Sequence, residues 1–211
     1  MTKAGQRPIV FDYGGVVQKL LDDELCHLIA QELHVSPDDL KPYFNSAIRE
    51  VQRGAMSEDD FVRVAAEMTG ATASIAAEAL FTKPFEHDSQ LFPQVIVLLE
   101  ELRDQGIPLS VLSNTVPSHA RLNRRRNNYR WFGNRVFLSC EIKLLKPSFE
   151  VFEWVASRLE VPLSGFLLVD DMAENATAAR ELGIVAIQHD SASMPIEHLR
   201  VSLAGLGFAA L

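Results

Sequence analysis

The chain has little cysteine, no long apolar stretch and no excess of cationic charge. Its two cysteines, Cys26 and Cys140, lie far apart and lack the spacing of a metal site. No run of about 18 apolar residues occurs, which excludes an ordinary transmembrane helix. The formal net charge of −8 argues against a general nucleic-acid binder, since such proteins usually carry excess cationic charge. We therefore expect a protein of a reducing, cytoplasmic compartment without membrane or nucleic-acid partners.

Short apolar runs alternate with helical patterns over most of the chain. Each run is continuous in apolar character, as in strands that are buried on both faces of a parallel sheet. Strands that alternate with helices predict an α/β fold with a doubly wound parallel sheet. In such a sheet ligands bind outside the carboxyl ends of the strands. The predicted strands are residues 8–11, 107–113, 135–139, 165–170 and 184–188.

The segment between the first two predicted strands breaks this alternation, because it contains only helical patterns. Ser36 before Pro37 predicts the start of one helix, and Ser57, three residues before Asp60, resembles a capping box. A further helix is expected around residues 73–81. We expect a small all-helical insertion that follows the first strand. The predicted division is an α/β core of residues 1–17 and 91–211 with a helical cap of residues 18–90.

Polar residues cluster at the ends of the predicted strands, which share one edge of a parallel sheet. They include three carboxylates, which repel one another unless a cation lies among them, and Mg²⁺ is the natural hard cation for oxygen ligands. A carboxylate nucleophile beside a metal ion and a lysine is suited to phosphoryl transfer through an aspartyl-phosphate. The residues concerned are Asp12, Ser113, Asn114, Lys146, Asp170 and Asp171.

Four stretches carry a family resemblance. In this order and spacing, FDYGGVV, LSNT, KP and VDDMAENATAARELGI resemble the motifs of the haloacid dehalogenase (HAD) superfamily of hydrolases. The resemblance covers nearly the whole chain, and the sequence is similar to sugar-phosphate phosphatases and to the N-terminal phosphatase domain of soluble epoxide hydrolases. It implies a Rossmann-like core with a small cap and a Mg²⁺-dependent phosphatase of a small phosphorylated metabolite, for example a sugar phosphate.

The resemblance also implies roles in catalysis and substrate binding. Asp12 matches the nucleophile that becomes phosphorylated. Ser113, with Asn114 beside it, matches the position that holds the phosphoryl oxygens. Lys146 matches the lysine that neutralises charge between the nucleophile and the substrate phosphate.

For the metal, the resemblance implies that Asp12 and Asp171 bind Mg²⁺ directly and that Gly14 contributes its backbone carbonyl. Asp170 acts either as a ligand through water or as the partner of Lys146. Asn175 matches a position that is often Asp and that supports the water shell of the metal.

Gly14 is a departure from the family pattern. Most phosphatases of the family have a second Asp at this position, and its side chain protonates the leaving alcohol. The loss of a positioned general acid costs on the order of 10² to 10⁴ in rate. Tyr13 is a poor replacement because its unperturbed pKa is high, and we interpret it as a loop residue facing the substrate or the cap.

Three interpretations of Gly14 stay open. In the first, the protein is a phosphatase whose substrate has a good leaving group, or whose acid comes from the cap or from water. In the second, it is a non-catalytic or very slow protein that binds a phosphorylated ligand. In the third, it is a 2-haloacid dehalogenase, which needs no such acid, but the paired Asp170 and Asp171 argue against this class because displacement at carbon uses no Mg²⁺.

Residues 121–132 hold five arginines with Tyr129 and Trp131, which superficially resembles a nucleic-acid patch. We interpret this segment as a solvated helix face or an edge near the site entrance, with a homodimer contact or the attraction of an anionic substrate as alternatives. A catalytic triad of Ser113, His119 and Asp12 is nominally possible, but no nucleophile elbow surrounds Ser113, which argues against it. We interpret His119 as an ordinary helix residue.

Overall fold

The computed structural model describes residues 6–19, 22–71, 76–88 and 90–208, without the side chains of 22–24 and 84–88. Five parallel strands form one sheet in the order β3-β2-β1-β4-β5. This confirms the predicted doubly wound α/β fold, and each strand falls within its predicted range. The strands are β1 (Ile9–Phe11), β2 (Leu109–Ser113), β3 (Val136–Leu138), β4 (Leu167–Asp170) and β5 (Val185–Gln188).

Helices flank the sheet and fill the segment after β1. In chain order they are α1 (Asp22–Glu32), α2 (Pro37–Gln52), α3 (Glu58–Thr69), α4 (Ala77–Asp88), α5 (Pro93–Asp104), α6 (Pro117–Arg125), α7 (Ser139–Ile142), α8 (Phe149–Leu159), α9 (Ala173–Glu181) and α10 (Ile196–Gly205).

The predicted helix starts in the insertion are confirmed. The Ser36 hydroxyl accepts a hydrogen bond from the Asp38 N–H at the start of α2, and the Ser57 hydroxyl accepts one from the Asp60 N–H at the start of α3. Helix α4 begins later than the predicted range of 73–81, of which residues 73–75 lie outside the described part. No bounds are predicted from the sequence for α6, although His119 and part of residues 121–132 are interpreted as helical, and α7 and α10 are not predicted.

The strands are buried on both faces, as their continuous apolar character requires. Ile9 and Phe11 of β1 belong to the apolar cluster under α5 and α10, whereas Val10 belongs to the cluster under α8 and α9. This alternation follows from the two-residue period of a strand. Both faces are covered, so the carboxyl edge of the sheet remains as the place for a ligand.

Helices α1 to α4 share an apolar cluster of their own, which the core residue Val116 joins. The two chain segments that lead into and out of these helices lie side by side. The Lys19 N–H donates to the Gln90 carbonyl at 2.9 Å, and the Phe92 N–H donates to the Val17 carbonyl at 3.0 Å. The division into a core and a cap at residues 18 and 90 fits this arrangement and is retained as a proposal.

Within the described residues, no helix is both long and apolar enough to cross a membrane.

Candidate active site

Asp12 lies directly after β1 and is anchored to the sheet, since its N–H donates to the Val169 carbonyl at 2.7 Å. The residue is 7% exposed. Its Oδ1 accepts hydrogen bonds from the Tyr13 N–H at 2.6 Å and from the Lys146 Nζ at 2.9 Å. One carboxylate oxygen is thereby fixed, which leaves Oδ2 as the oxygen that can act on a ligand.

Lys146 is held from both ends. Its side chain is 1% exposed, and its Nζ donates to Asp170 Oδ2 at 2.6 Å as well as to Asp12. Its main chain is bonded twice to the side-chain amide of Asn114: the Lys146 N–H donates to Asn114 Oδ1 at 3.0 Å, and Asn114 Nδ2 donates to the Lys146 carbonyl at 2.9 Å. The predicted site residue Asn114 therefore also positions the lysine.

Asp170 is completely buried at the end of β4, and both of its carboxylate oxygens are bonded. Oδ2 accepts from Lys146, while Oδ1 accepts from the Met172 N–H at 3.0 Å and from Asn175 Nδ2 at 2.8 Å. Of the two roles predicted for Asp170, the partner of Lys146 is the one seen here. Its role as a water-mediated metal ligand stays a prediction.

The chemistry of this edge fits a hard divalent cation. Asp12, Asp170 and Asp171 each offer a carboxylate oxygen, and these oxygens lie within 4.8 Å of one another. Asn175 Oδ1 is buried and has no hydrogen-bond partner among the described residues. A buried polar atom without a partner is costly, and a metal-bound water next to the carboxylates would satisfy it.

The pKa values of the ionisable groups at the site are shifted from their usual values. Burial raises the pKa of Asp12 well above its usual value, and although Lys146 opposes this effect, the repulsion from Asp170 and Asp171 adds to it. Burial and Asp170 likewise raise the pKa of Asp171. Burial disfavours the ammonium of Lys146, but its pairs with Asp12 and Asp170 raise its pKa overall. Lys146 is therefore positively charged, and the three carboxylates around it, when ionised, leave two negative charges without a positive partner.

The two glycines after Asp12 differ in backbone conformation. Gly15 has φ +77°, and a Cβ atom there would lie 2.2 Å from Asp171 Oδ2. Gly14 does not have a positive φ. The sequence marked both as a turn, but the close approach of Gly15 to Asp171 depends on two loops that are distant in the chain.

Two adjoining cavities open at this edge. The catalytic cavity, of about 160 Å³, is lined by Asp12, Gly14, Asn114, Lys146 and Asp171 of the predicted set. The side chamber, of about 50 Å³, shares Gly14 and Asn114 with it and adds Ser113, Thr115, Val116 and Leu25. All predicted site residues other than the buried Asp170 thus line one cavity or the other.

The sequence missed the contribution of α2. Arg49 and Gln52 line the catalytic cavity, and Ile48 and Gln52 line the side chamber. Ala47 and Val51 are the buried apolar residues of this turn, so the helical period turns Arg49 away from them. This polar face could have been noted, but nothing in the chain predicts that it lies over the strand ends.

Tyr13, which was considered as a replacement acid, and His119, which was considered as part of a triad, have other partners. The Tyr13 ring borders the side chamber but is buried against Tyr129, and its hydroxyl donates to the Asn128 carbonyl at 3.4 Å. Burial raises the pKa of Tyr13 further. His119 is a buried residue of α6 whose Nε2 lies 2.7 Å from the Phe81 carbonyl, and burial lowers its pKa to about 4. Neither side chain is arranged to give a proton to a leaving group.

Arginines of the 121–132 segment form intramolecular contacts. These contacts support the interpretation of a solvated helix face, whereas the predicted homodimer contact remains untested. Arg121 pairs with Glu58 and Glu78, Arg125 with Glu78 and Arg124 with Glu141, while Arg130 stacks over Trp131 at 3.5 Å.

Several known proteins are similar to this chain. A sesquiterpene phosphatase of Aspergillus oryzae is 26% identical over 185 residues, which are 84% of this chain and 87% of that protein. A HAD-family enzyme of Bacteroides thetaiotaomicron, crystallised with magnesium and inorganic phosphate, has a TM-score of 0.74 at 20% identity, covering 92% of this chain and 99% of its own. A HAD phosphatase of Thermococcus onnurineus has a TM-score of 0.65 at 19% identity, covering 94% and 98%. The two structural likenesses show the same fold.

The family of the chain is shown by a match to a family profile. The profile of the haloacid dehalogenase-like hydrolases matches residues 9–183, which include strands β1 to β4 of the parallel sheet and end after α9. Asp12, Lys146 and Asp171 lie within the matched range, at the edge where the cavities open. The chain belongs to the haloacid dehalogenase-like hydrolases.

Proposed function

We propose that this hydrolase is a Mg²⁺-dependent phosphatase that removes phosphate from a small phosphorylated metabolite through an aspartyl-phosphate on Asp12. The observation that carries the proposal is the buried Asp12 carboxylate, whose Oδ1 is bonded to Lys146 while Oδ2 is left to react. Membership of the hydrolase family and the similarity to a phosphatase support it.

Asp12 is the proposed nucleophile. One of its carboxylate oxygens attacks phosphorus, and the bond between phosphorus and the leaving oxygen breaks. Water then attacks the phosphorus of the aspartyl-phosphate, the bond to Asp12 breaks, and inorganic phosphate and the free carboxylate are released. Lys146 offsets the negative charge of Asp12 during both steps, and Ser113 and Asn114 are the proposed contacts of the phosphoryl oxygens.

The proposed direct ligands of Mg²⁺ are Asp12, Asp171 and the Gly14 carbonyl. Asp170 and Asn175 are proposed to bind the ion through water. The ion supplies positive charge where the phosphoryl group and the carboxylates meet. The buried Asn175 Oδ1 without a partner and the raised pKa values of Asp12 and Asp171 support this assignment.

The leaving group has no proton donor at Gly14, and the hydroxyl of Tyr13 and the ring of His119 are engaged elsewhere. The leaving oxygen therefore takes its proton from water. A leaving group of low pKa needs this proton least, so an aryl, anomeric or acyl phosphate suits the site better than a simple alkyl phosphate.

The proposal concerns a small metabolite because the catalytic cavity and the side chamber, of about 160 and 50 Å³, are both small. The similar Aspergillus oryzae protein is named for sesquiterpene substrates, and a terpene chain would need the cap to move away from the core. The sugar phosphate remains one example of a small substrate with an anomeric leaving group.

The nucleophile is tested by Asp12→Asn. With p-nitrophenyl phosphate and Mg²⁺, we expect the variant to lose at least about 1,000-fold in kcat, because the amide oxygen is a poor nucleophile and Lys146 loses an anionic partner. Asp104→Asn, at an exposed position of α5, is the matched control and should keep the parent rate. Equal rates for Asp12→Asn and the parent would contradict the mechanism, and no turnover by the parent itself would favour a phospho-ligand-binding protein.

The absence of a general acid is tested by comparing substrates whose leaving groups differ in pKa. We expect kcat/KM for aryl and anomeric phosphates to exceed that for an alkyl phosphate of similar size by about 100-fold or more. Binding is measured separately, as competitive inhibition, so that affinity does not enter the comparison. Similar rates on both classes would mean that another group donates the proton.

A further inference from the structure

Arg49 differs from the other arginines in and next to α2 and α3. Arg53, which directly follows the end of α2, is bonded to Glu50 at 2.6 Å, and Arg63 of α3 is paired with Asp60 at 3.1 Å. Arg49 forms no ion pair with any carboxylate of the described residues. Its Nη2 donates to the Lys146 carbonyl at 3.4 Å, and the residue lines the catalytic cavity as well as a neighbouring cavity that it shares with Arg53.

The charges around the catalytic cavity are unbalanced toward the negative. Asp12, Asp171 and Glu174 line it. Among the described residues that line it, Lys146 and Arg49 carry the positive charges, and Lys146 is already shared between two carboxylates. A phosphate ester brings further negative charge to this place. Arg49 is the cation whose donors are available to meet it.

The end of α2 is fixed to the core, so that Arg49 stays over the cavity. The Ser139 hydroxyl donates to the Gln52 carbonyl at 2.7 Å, and the Lys143 Nζ donates to the Gly54 carbonyl at 3.3 Å. Ala47 and Val51 are buried in the cluster of α1 to α4 and hold the opposite face of the helix. The guanidinium thus bridges two parts of the fold at the mouth of the site.

We propose that Arg49 binds the non-bridging oxygens of the substrate phosphoryl group. This inference rests on the proposed function and extends it to a binding residue that the sequence motifs do not include. The planar guanidinium offers several N–H donors in a fixed fork, which matches the geometry of phosphate oxygens. Arg49 is exposed, so its replacement leaves the apolar clusters intact.

The test compares Arg49→Ala and Arg49→Lys with the matched control Arg53→Ala. Binding of inorganic phosphate in excess Mg²⁺ is measured by calorimetry, and KM and kcat are measured with p-nitrophenyl phosphate. We expect Arg49→Ala to weaken phosphate binding and to raise KM about 10- to 100-fold, as the loss of a charge-assisted hydrogen bond predicts. Arg49→Lys should recover part of this loss because it keeps the charge but not the fork. Arg53→Ala should stay within about twofold of the parent.

Two outcomes overturn the inference: equal phosphate affinity in Arg49→Ala and Arg53→Ala, or no phosphate binding by the parent protein in Mg²⁺. The Asp12→Asn variant separates this inference from the proposed function. If Asp12→Asn keeps full turnover while Arg49→Ala loses phosphate binding, the nucleophile is wrong and the role of Arg49 stands. If Asp12→Asn is inactive while Arg49→Ala behaves as the control, the nucleophile stands and the role of Arg49 is wrong.

Discussion

The two adjacent glycines in the loop after Asp12 differ in what their surroundings require. At Gly15, the positive φ and the Asp171 carboxylate both exclude a side chain. At Gly14 the backbone does not have a positive φ, so its conformation does not by itself require glycine. The sequence indicated a turn that needs space, and the contact with Asp171 identifies which glycine supplies it.

The substitution Asp171→Asn tests how far the carboxylate cluster destabilises the metal-free protein. Because burial and Asp170 raise the pKa of Asp171, its negative charge is unfavourable in the metal-free protein, and the neutral amide removes this cost. We expect a higher Tm than the parent in EDTA, together with loss of the rise in Tm that Mg²⁺ gives the parent. Thermal unfolding in EDTA and in excess MgCl₂ measures both. A variant that gains as much from Mg²⁺ as the parent would exclude Asp171 as a ligand.

The N-terminus of helix α6 is stabilised by a residue of α3. Its N-cap residue, Val116, provides no side-chain hydrogen bond. The Ser118 N–H and hydroxyl instead donate to Glu58 Oε1 at 2.9 and 2.6 Å, and Glu58 is the first residue of α3. A carboxylate at a helix N-terminus is favourable because it meets unpaired N–H groups and the positive end of the helix dipole. The same helix carries Arg121, which also pairs with Glu58.

Glu58→Gln removes the charge but keeps an oxygen that can accept from Ser118. We expect the free energy of unfolding to fall by about 1–2 kcal/mol, since both the dipole interaction and the pair with Arg121 are weakened. Urea unfolding measures the change. Glu67→Gln, at an exposed position of the same helix, is the control, and an equal effect of the two substitutions would show that Glu58 gives α6 no special support.

At the scale of the whole molecule, buried polar contacts join helices α3 and α4 to α6. His119 of α6 is one of them, with its Nε2 at the Phe81 carbonyl of α4. Burial lowers the pKa of His119 from 6.5 to about 4 in the folded protein. Between these values the unfolded chain binds more protons than the folded one, so the stability falls as the pH falls.

The contribution of the neutral, buried His119 to the free energy of unfolding should be fully present above about pH 7 and should decline progressively toward about pH 4. At about pH 5 the loss amounts to about 2 kcal/mol of the free energy of unfolding. We expect His119→Gln, whose amide can still donate to Phe81, to be less sensitive to pH than the parent by this amount. Urea unfolding of both proteins near pH 7 and pH 5 gives the comparison. The same pH dependence in both proteins would contradict the neutral buried state of His119.

Much of the active-site edge could be predicted because parallel strands impose a simple rule. Apolar runs identify the strands, and the residues that follow them must lie at one edge of the sheet. This rule brings Asp12, Asn114 and Asp171 to the same cavity without any knowledge of side-chain packing. The family resemblance then added chemical roles to residues that the rule had already brought together.

The sequence by itself determined the parallel sheet, the helical insertion after β1 and the set of polar residues at the strand ends, because these depend on local periodicity and chain order. Only the tertiary structure decided that Arg49 faces the catalytic cavity, that Gly15 touches Asp171 and that Glu58 supports α6. Each of these contacts joins segments far apart in the chain. Their geometry depends on how the insertion packs on the core, through Val116 and the anchored end of α2, and such packing leaves no periodic pattern in the sequence.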